Sequence, residues 1–172
     1  MGLSVAQSSN GQLPEKMAKK MGPNPVLFRD SVEITIDTLK AISPFDVADI
    51  SIVIPKKAKK FLGDKGADGA VYVTTIKAAK LRNWNYLNSK SDKYNKAITS
   101  PDADTLCQYV LNKRSLTEKE APGTIFLIRD KNFKRLNFIV NGVVSEDSAH
   151  TKQFQVYLFA KRPKGLLKNE KW

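Results

Sequence analysis

The stretch of residues 47–75, VADISIVIPKKAKKFLGDKGADGAVYVTT, most constrains the fold of this chain. Ile50, Ile52 and Ile54 alternate with smaller or polar residues, which indicates a half-buried strand. Pro55 cannot donate to a strand ladder, but its fixed φ suits the first turn of a helix. The sequence therefore predicts a strand that ends at residue 54 and a short helix over residues 55–62.

The predicted helix has two chemically distinct faces. At about 100° per residue, the apolar side chains Ala58, Phe61 and Leu62 fall together. We expect them to share one buried face with Ile50, Ile52 and Ile54. The opposite face carries four lysines that we predict to bind a partner: Lys56, Lys57, Lys59 and Lys60.

Three glycines follow the helix at three-residue spacing: Gly63, Gly66 and Gly69. Glycine supplies a helix stop and positions that are free for positive φ. The loop lacks the Gly-Lys-Ser/Thr ending of a phosphate cradle, and it leads into a strand over residues 69–75 instead of a helix N-terminus. We therefore predict that these glycines form a structural turn between two neighbouring strands of one sheet and bind no ligand.

This strand, helix, glycine turn and strand resemble the plug domain of TonB-dependent outer-membrane receptors, in the form used by Bacteroidota. The resemblance rests on FDVADISI at residues 45–52, LGDKGADG at 62–69 and VYVTT at 71–75. It extends upstream to PVLFRD at 25–30, similar to the first plug strand, and to DTLKAISP at 37–44, similar to a short helix. It covers residues 25–77, and the chain lacks the glycine that the family has after its first strand.

The resemblance implies a role without a barrel of its own. A receptor barrel of about 22 strands needs several hundred residues, whereas this chain has 172. We therefore expect a periplasmic plug-like protein that associates with or occludes an outer-membrane barrel or envelope complex, such as a transporter or a type IX secretion translocon. The alternatives are a periplasmic sensor or adaptor domain and a basic nucleic-acid-binding protein.

The net charge of +12 and the pI of about 9.8 suggest an anionic partner. Nucleic acid, an anionic envelope surface and an acidic protein cavity all fit this charge, and so does simple solubility. The lysine face has the same two interpretations, because any short helix over a sheet must face water on one side. Charge alone does not choose between them.

The chain offers little for catalysis, cofactors or metals. Cys107 is the one cysteine and His150 the one histidine, so neither a disulfide within the chain nor a zinc site of ordinary spacing can form. Cys107 lies in a strand-like run and is expected to be a buried, inert thiol. We predict no enzymatic activity, no cofactor and no metal.

The fold class predicted for the whole chain is α+β, a small plug-like mixed sheet followed by a second β-rich portion. Residues 1–24 are predicted to be a flexible leader, a possible signal-peptide remnant with a small-x-small site ending at Ala6, and 25–77 the plug-like domain. Residues 78–100 would be a connecting segment whose amphipathic helix packs Trp84 on the plug. Residues 101–160 would be β-rich, with strands at 106–111, 123–128, 136–140 and 154–160, and 161–172 a frayed basic tail.

Two features of the second portion bear on function. Residues 109–118 partly resemble residues 26–29 and the short helix after them, but the glycine turn and Thr-Thr ending have no counterpart, so duplication is left open. The aromatics Phe126, Phe138, Tyr157 and Phe159 lie in apolar runs, and we expect them in the core. That placement argues against a base-stacking sheet.

Overall fold

The computed structural model describes residues 3–5, 21–141, 152–164, 166 and 172. The chain is of the α+β class, as predicted, with short helices and two small mixed sheets. It forms two compact units. Unit 1 comprises Met1–Ala78 with Lys164–Glu170, and unit 2 comprises Ala79–Pro163 with Lys171–Trp172.

Unit 1 contains a five-stranded sheet and two short helices. Its strands are β1 (Leu3–Val5), β2 (Val26–Arg29), β3 (Val32–Ile34), β4 (Val47–Val53) and β5 (Ala70–Thr75). Its helices are α1 (Ile36–Lys40) and α2 (Pro55–Leu62), with 3-10 helices at Pro44–Asp46 and Gly63–Asp68. The strand order is β1-β4-β5-β2-β3, in which β2 and β5 are parallel and the other pairs antiparallel.

The predicted strand, helix, turn and strand are confirmed in unit 1. β4 and β5 are antiparallel neighbours, with Ile52 opposite Val71, and α2 lies between them in sequence. Ile52 is buried, while Ile50 and Ile54 are half-buried. The leader prediction is wrong for residues 3–5, which pair with β4 as an edge strand, and the rest of residues 1–20 lies outside the described residues.

Unit 2 contains a four-stranded sheet and the remaining helices. α3 (Ile76–Asn88) starts at the end of unit 1 and leads to α4 (Asp92–Ala97), a 3-10 helix at Pro101–Leu106 and α5 (Ala121–Phe126). The strands are β6 (Cys107–Leu111), β7 (Arg114–Ser115), β8 (Phe133–Val140) and β9 (Phe154–Ala160). Their order is β7-β6-β9-β8, in which β6 and β9 are parallel and the other pairs antiparallel.

The core of unit 2 corrects three predictions. Trp84, expected on the plug-like domain, belongs to unit 2, where it packs against the core cluster and its Nε1 donates to Ile98 O at 2.7 Å. The strand predicted at residues 123–128 is wrong because α5 occupies most of it, with Pro122 in the first turn. Trp172 is not frayed, since it packs on the same core and its Nε1 donates to Ala160 O at 3.2 Å.

The two units share one topology. In each, a hairpin (β2–β3 or β6–β7) is followed by a helix and then by two antiparallel strands, of which the last pairs in parallel with the first. The register of the second antiparallel pair is also irregular at the same place, between Val47 and Asp49 in β4 and between Phe133 and Arg135 in β8. The structure therefore shows that the two units are an architectural repeat. The sequence alone had left an internal duplication open.

The hairpin turns make this equivalence specific. Asp30 and Ser31 in unit 1, and Asn112 and Lys113 in unit 2, have positive φ of 49° and 73°, and of 47° and 76°. Both turns are closed by the side chain of their first residue. Asp30 accepts hydrogen bonds from the backbone N and Oγ1 of Thr75, while Asn112 accepts from the backbone N of Ala160 and donates to its carbonyl oxygen.

No helix among the described residues is both long and apolar enough to cross a bilayer.

Candidate functional site: the basic helix of unit 1

Helix α2 presents the predicted lysine face. Pro55 occupies the first turn and Gly63 ends the helix with φ of 60°, so both ends follow from the sequence. Ala58 is only 1% exposed and anchors the inner side. Because Ala is so small, this anchor sets the helix backbone very close to whatever lies beneath it.

The four lysines are not equivalent. Lys56, Lys59 and Lys60 are exposed, and none of them forms an ion pair with another residue of the described part of the chain. Lys57 is half-buried and makes interactions of its own. The structure thus places three exposed cations on the outer side of α2, and we name Lys56, Lys59 and Lys60 the basic face.

Phe61 is not on the buried face, and this prediction is wrong. Its side chain is 73% exposed, whereas Leu62 is half-buried and Ala58 is buried. The buried face of α2 is therefore narrower than predicted, because it includes Ala58 and part of Leu62 but not Phe61. The physical reason is that a turn of backbone, not a layer of side chains, fills the space under the helix. Phe61 instead adds an exposed aromatic ring to the outer surface of α2.

The glycine turn provides that backbone layer. Gly66 is buried, and a Cβ built on it would lie 2.5 Å from Ala58 C and 2.7 Å from Ala58 O. Its φ is not positive, so glycine is required here for close approach and not for backbone conformation. Gly69 has φ of 93°, a conformation that L side chains rarely adopt.

Asp68 in the glycine turn fastens a preceding segment of the chain. Asp68 accepts a hydrogen bond from the backbone N of Asn24 at 3.0 Å, and its own carbonyl accepts from Gly22 N at 3.0 Å. These bonds fasten the segment before β2 to the turn. Among the described residues, no group of three or more His, Cys, Asp or Glu side chains is placed to hold a metal ion. His150 lies outside the described residues.

A buried polar cluster in unit 2 was missed by the sequence reasoning. The hydroxyls of Tyr94 and Tyr109 lie 3.0 Å apart, and Tyr109 Oη also donates to Asp104 Oδ1 in a short hydrogen bond. Burial raises the pKa of the Asp104 carboxyl and raises that of Tyr109 well above its usual value. Burial also raises the pKa of the Cys107 thiol to about 12, which makes its thiolate scarce at neutral pH.

This cluster borders a small cavity. The cavity has a volume of about 40 Å³, and its lining includes Lys80, Asp104, Cys107 and Glu118. Such a space holds a few water molecules, whereas ligand pockets are roughly 300–1,000 Å³. The cavity beside this cluster is therefore much smaller than an ordinary ligand pocket.

Three of the four aromatics expected in the core lie in the unit 2 sheet, divided between its two faces, and Phe126 lies in α5. Phe138 packs on the core cluster, but Tyr157 and Phe159 alternate with the buried residues of β9 and so lie on the opposite face. Arg135 stacks its guanidinium over the Phe159 ring at 4.1 Å. Phe126 is half-buried, with the guanidinium of Arg129 4.5 Å from its ring centroid. The core prediction is wrong for Tyr157 and Phe159.

Comparison with known proteins does not identify a family, since no family model, curated protein or solved structure matches the chain.

Proposed function

We propose that this chain is a non-catalytic, plug-like binding protein of the periplasm that associates with an outer-membrane barrel or envelope complex through the basic face and Phe61. A transporter or a type IX secretion translocon is the partner that the sequence resemblance favours, and a sensor or adaptor role would use the same surface. The observation that carries the proposal is the exposure of Lys56, Lys59, Lys60 and Phe61 on one short helix, where these lysines form no ion pair with a described residue.

The position of the lysines supports binding over solubility. The N-terminal end of a helix carries partial positive charge, so Lys56 in the first turn of α2 is disfavoured by the helix dipole. α2 has no acidic residue in its first turn to offset this charge. Lys56 also lies three and four residues before Lys59 and Lys60, a spacing at which like charges repel. An acidic partner would relieve both effects.

Phe61 supports the same conclusion. Interface cores are enriched in aromatic side chains, and a solvated helix face has no need of one. The close backbone contact between Gly66 and Ala58 fixes α2 without using the lysines or Phe61. Their side chains can therefore be changed with little effect on the fold.

The test uses two variants of this surface. Lys56→Glu/Lys59→Glu/Lys60→Glu reverses the basic face, and Phe61→Ala removes the ring without changing charge. The matched control is Lys93→Glu/Lys96→Glu/Lys161→Glu, which makes the same change in net charge at exposed lysines of unit 2. The measurement is the amount of protein that co-fractionates with detergent-solubilised outer membranes, after nuclease treatment and over a range of salt.

Both surface variants should lose most of the retention, and the control should keep it. Wild-type retention should weaken as salt rises toward ~0.5 M, because screening shortens to a few ångströms. Wild-type yield from the basic-face variant would refute the proposed surface. Complete loss of wild-type retention after nuclease treatment would refute the proposed partner.

Nucleic acid is the second candidate partner because of the face that carries Tyr157 and Phe159. Aromatic rings and an arginine on a sheet face are groups on which bases stack. The nuclease step separates this candidate from a membrane complex. Tyr157→Ala/Phe159→Ala should abolish binding to single-stranded RNA if this second candidate is correct.

A further inference from the structure

One edge of the unit 2 sheet has hydrogen-bonding groups that no described strand uses. β8 lies at the end of the strand order, and its one described neighbour is β9. Asn141 N donates to Gln153 O at 3.0 Å, so the N–H of residue 141 points toward the β9 side. Backbone N–H and C=O groups alternate in direction along a strand. Those of Leu136, Phe138 and Val140 therefore point outward, and we call these groups the β8 edge.

The architectural repeat shows what such an edge can bind. When the register shifts of β4 and β8 are taken as equivalent positions, Ile50, Ser51 and Ile52 of β4 correspond in that order to Leu136, Asn137 and Phe138 of β8. In unit 1 this edge is occupied, because β1 pairs antiparallel with it: Leu3 lies opposite Ile52, Ser4 opposite Ser51 and Val5 opposite Ile50. In unit 2 the corresponding groups have no strand partner among the described residues.

The side chains around the β8 edge define the chemistry of its partner. Lys131, Lys134 and Arg135 are exposed at or just before the start of β8, and Lys134 has no ion pair with any described residue. Apolar surface follows at the other end, where Ile139 is 46% and Val140 is 62% exposed. Like charges disfavour pairing of this edge with a second copy of itself. They favour an extended segment that carries acidic residues beside apolar ones.

We propose that the β8 edge binds an extended acidic segment of a partner protein by antiparallel strand addition, in the register that β1 adopts on β4. The backbone bonds of Leu136 and Phe138 supply affinity, and the cations supply preference for acidic flanks. This surface lies on unit 2 and uses no residue of the basic face. It therefore stands or falls independently of the function proposed above.

The first test measures peptide binding to the full chain. The probe is Leu-Ser-Val with two glutamates at each end, and its counterpart carries lysines instead. The lysine peptide should bind about fivefold to tenfold more weakly, as expected for the loss of a few exposed ion pairs. Lys131→Glu/Lys134→Glu should reverse this preference, whereas the control Lys93→Glu/Lys96→Glu should leave it unchanged. Equal binding of both peptides to the wild type would refute the charge assignment.

N-methylation of the peptide backbone tests the strand register. Methyl groups on the Leu and Val nitrogens block the hydrogen bonds to β8 and should weaken binding more than about tenfold. A methyl group on the Ser nitrogen points away from β8 and should change binding less than about twofold. Equal effects at the two sets of positions would show that the peptide does not add as a strand.

Amide hydrogen exchange identifies the occupant. In the free protein the amides of Leu136, Phe138 and Val140 should exchange quickly, and those of Asn137 and Ile139 slowly because they are bonded to β9. The glutamate peptide should slow exchange of the first set. Slow exchange of Leu136, Phe138 and Val140 in the free protein would overturn the proposal. If this protection is independent of protein concentration, another part of the chain covers the edge. If the protection increases with protein concentration, a second copy of the chain covers it.

Discussion

The substitution Gly66→Ala tests whether backbone packing under α2 holds the basic face in place. The added Cβ would lie 2.5–2.7 Å from three backbone atoms of Ala58 and Lys59. Ordinary contact begins near 3.4 Å, so α2 and the turn must separate by nearly 1 Å. Neither partner is the flexible end of a side chain that could turn aside. Overpacking typically costs 1–3 kcal/mol, and we expect a loss of about 3 kcal/mol in the free energy of unfolding.

Gly63→Ala is the matched control for this experiment. A Cβ on Gly63 meets no atom within 4 Å, but its φ is 60°. This variant therefore measures backbone strain without crowding, and it should cost about 1–2 kcal/mol. The difference between the two variants isolates the contact between Gly66 and Ala58.

The assay is urea denaturation followed by far-UV circular dichroism. Tryptophan fluorescence alone is unsuitable, because the two tryptophans, Trp84 and Trp172, both belong to unit 2. The midpoint should fall for Gly66→Ala without a change in slope. A loss below about 0.5 kcal/mol for Gly66→Ala, or a smaller loss than for Gly63→Ala, would refute the close approach of the turn to the helix.

Two further predictions concern unit 2 and the hairpin turns. Asn112→Asp should lower the free energy of unfolding by about 1–3 kcal/mol at pH 7, since a carboxylate cannot donate to Ala160 O. Asp30→Asn should lower it by under about 1 kcal/mol, because Asp30 only accepts hydrogen bonds. Urea midpoints compare the two variants, and equal losses would contradict the turn geometry. For Asp104, burial raises the folded-state pKa above its usual 3.8, so the folded state holds the proton more tightly and stability falls as pH rises from about 4 toward neutrality. Asp104→Asn keeps an acceptor for Tyr109 and should flatten this pH dependence of the tryptophan-monitored midpoint; an unchanged profile would contradict the assignment.

The sequence predicted unit 1 well because local signals and tertiary packing agree there. Alternating isoleucines favour a strand, Pro55 favours the start of a helix, and the three glycines favour a turn. The strand, helix and turn of the structure lie at the positions that these residues predict. The position of Phe61 could not be predicted in this way. Helical periodicity predicts which side chains share a face of α2. It does not predict that the layer beneath this face is the backbone of the glycine turn, which buries Ala58 but leaves Phe61 exposed.

Unit 2 was less predictable because its signals act over long distances. The branched and aromatic run after Pro122 has strand propensity, yet it forms α5, since buried Ala121 and Ile125 pack into the core of the unit. The cluster of Tyr94, Tyr109 and Asp104 joins three separate elements, and no spacing in the sequence connects them. The one usable signal was the pair of turns that begin with Asp30 and Asn112, each followed five residues later by a threonine. Thr35 caps α1, and the Oγ1 of Thr117 accepts a hydrogen bond from Glu120 N in the turn before α5.

The parallel pairing of first and last strands has a consequence for how the chain is made. In each unit the strand that pairs with both the hairpin and the antiparallel strand is the last to be synthesised, β5 or β9. Its partner in the parallel pair lies about 45 residues earlier in the sequence. The chain must therefore lose the entropy of closing a long loop before the contacts between these two strands can stabilise the unit. A nascent unit therefore has two separate pieces of sheet with open edges until its final strand leaves the ribosome. Unit 1 can close while unit 2 is still being made, but a chain interrupted before Phe154 would leave β6 and β8 without the strand that joins them.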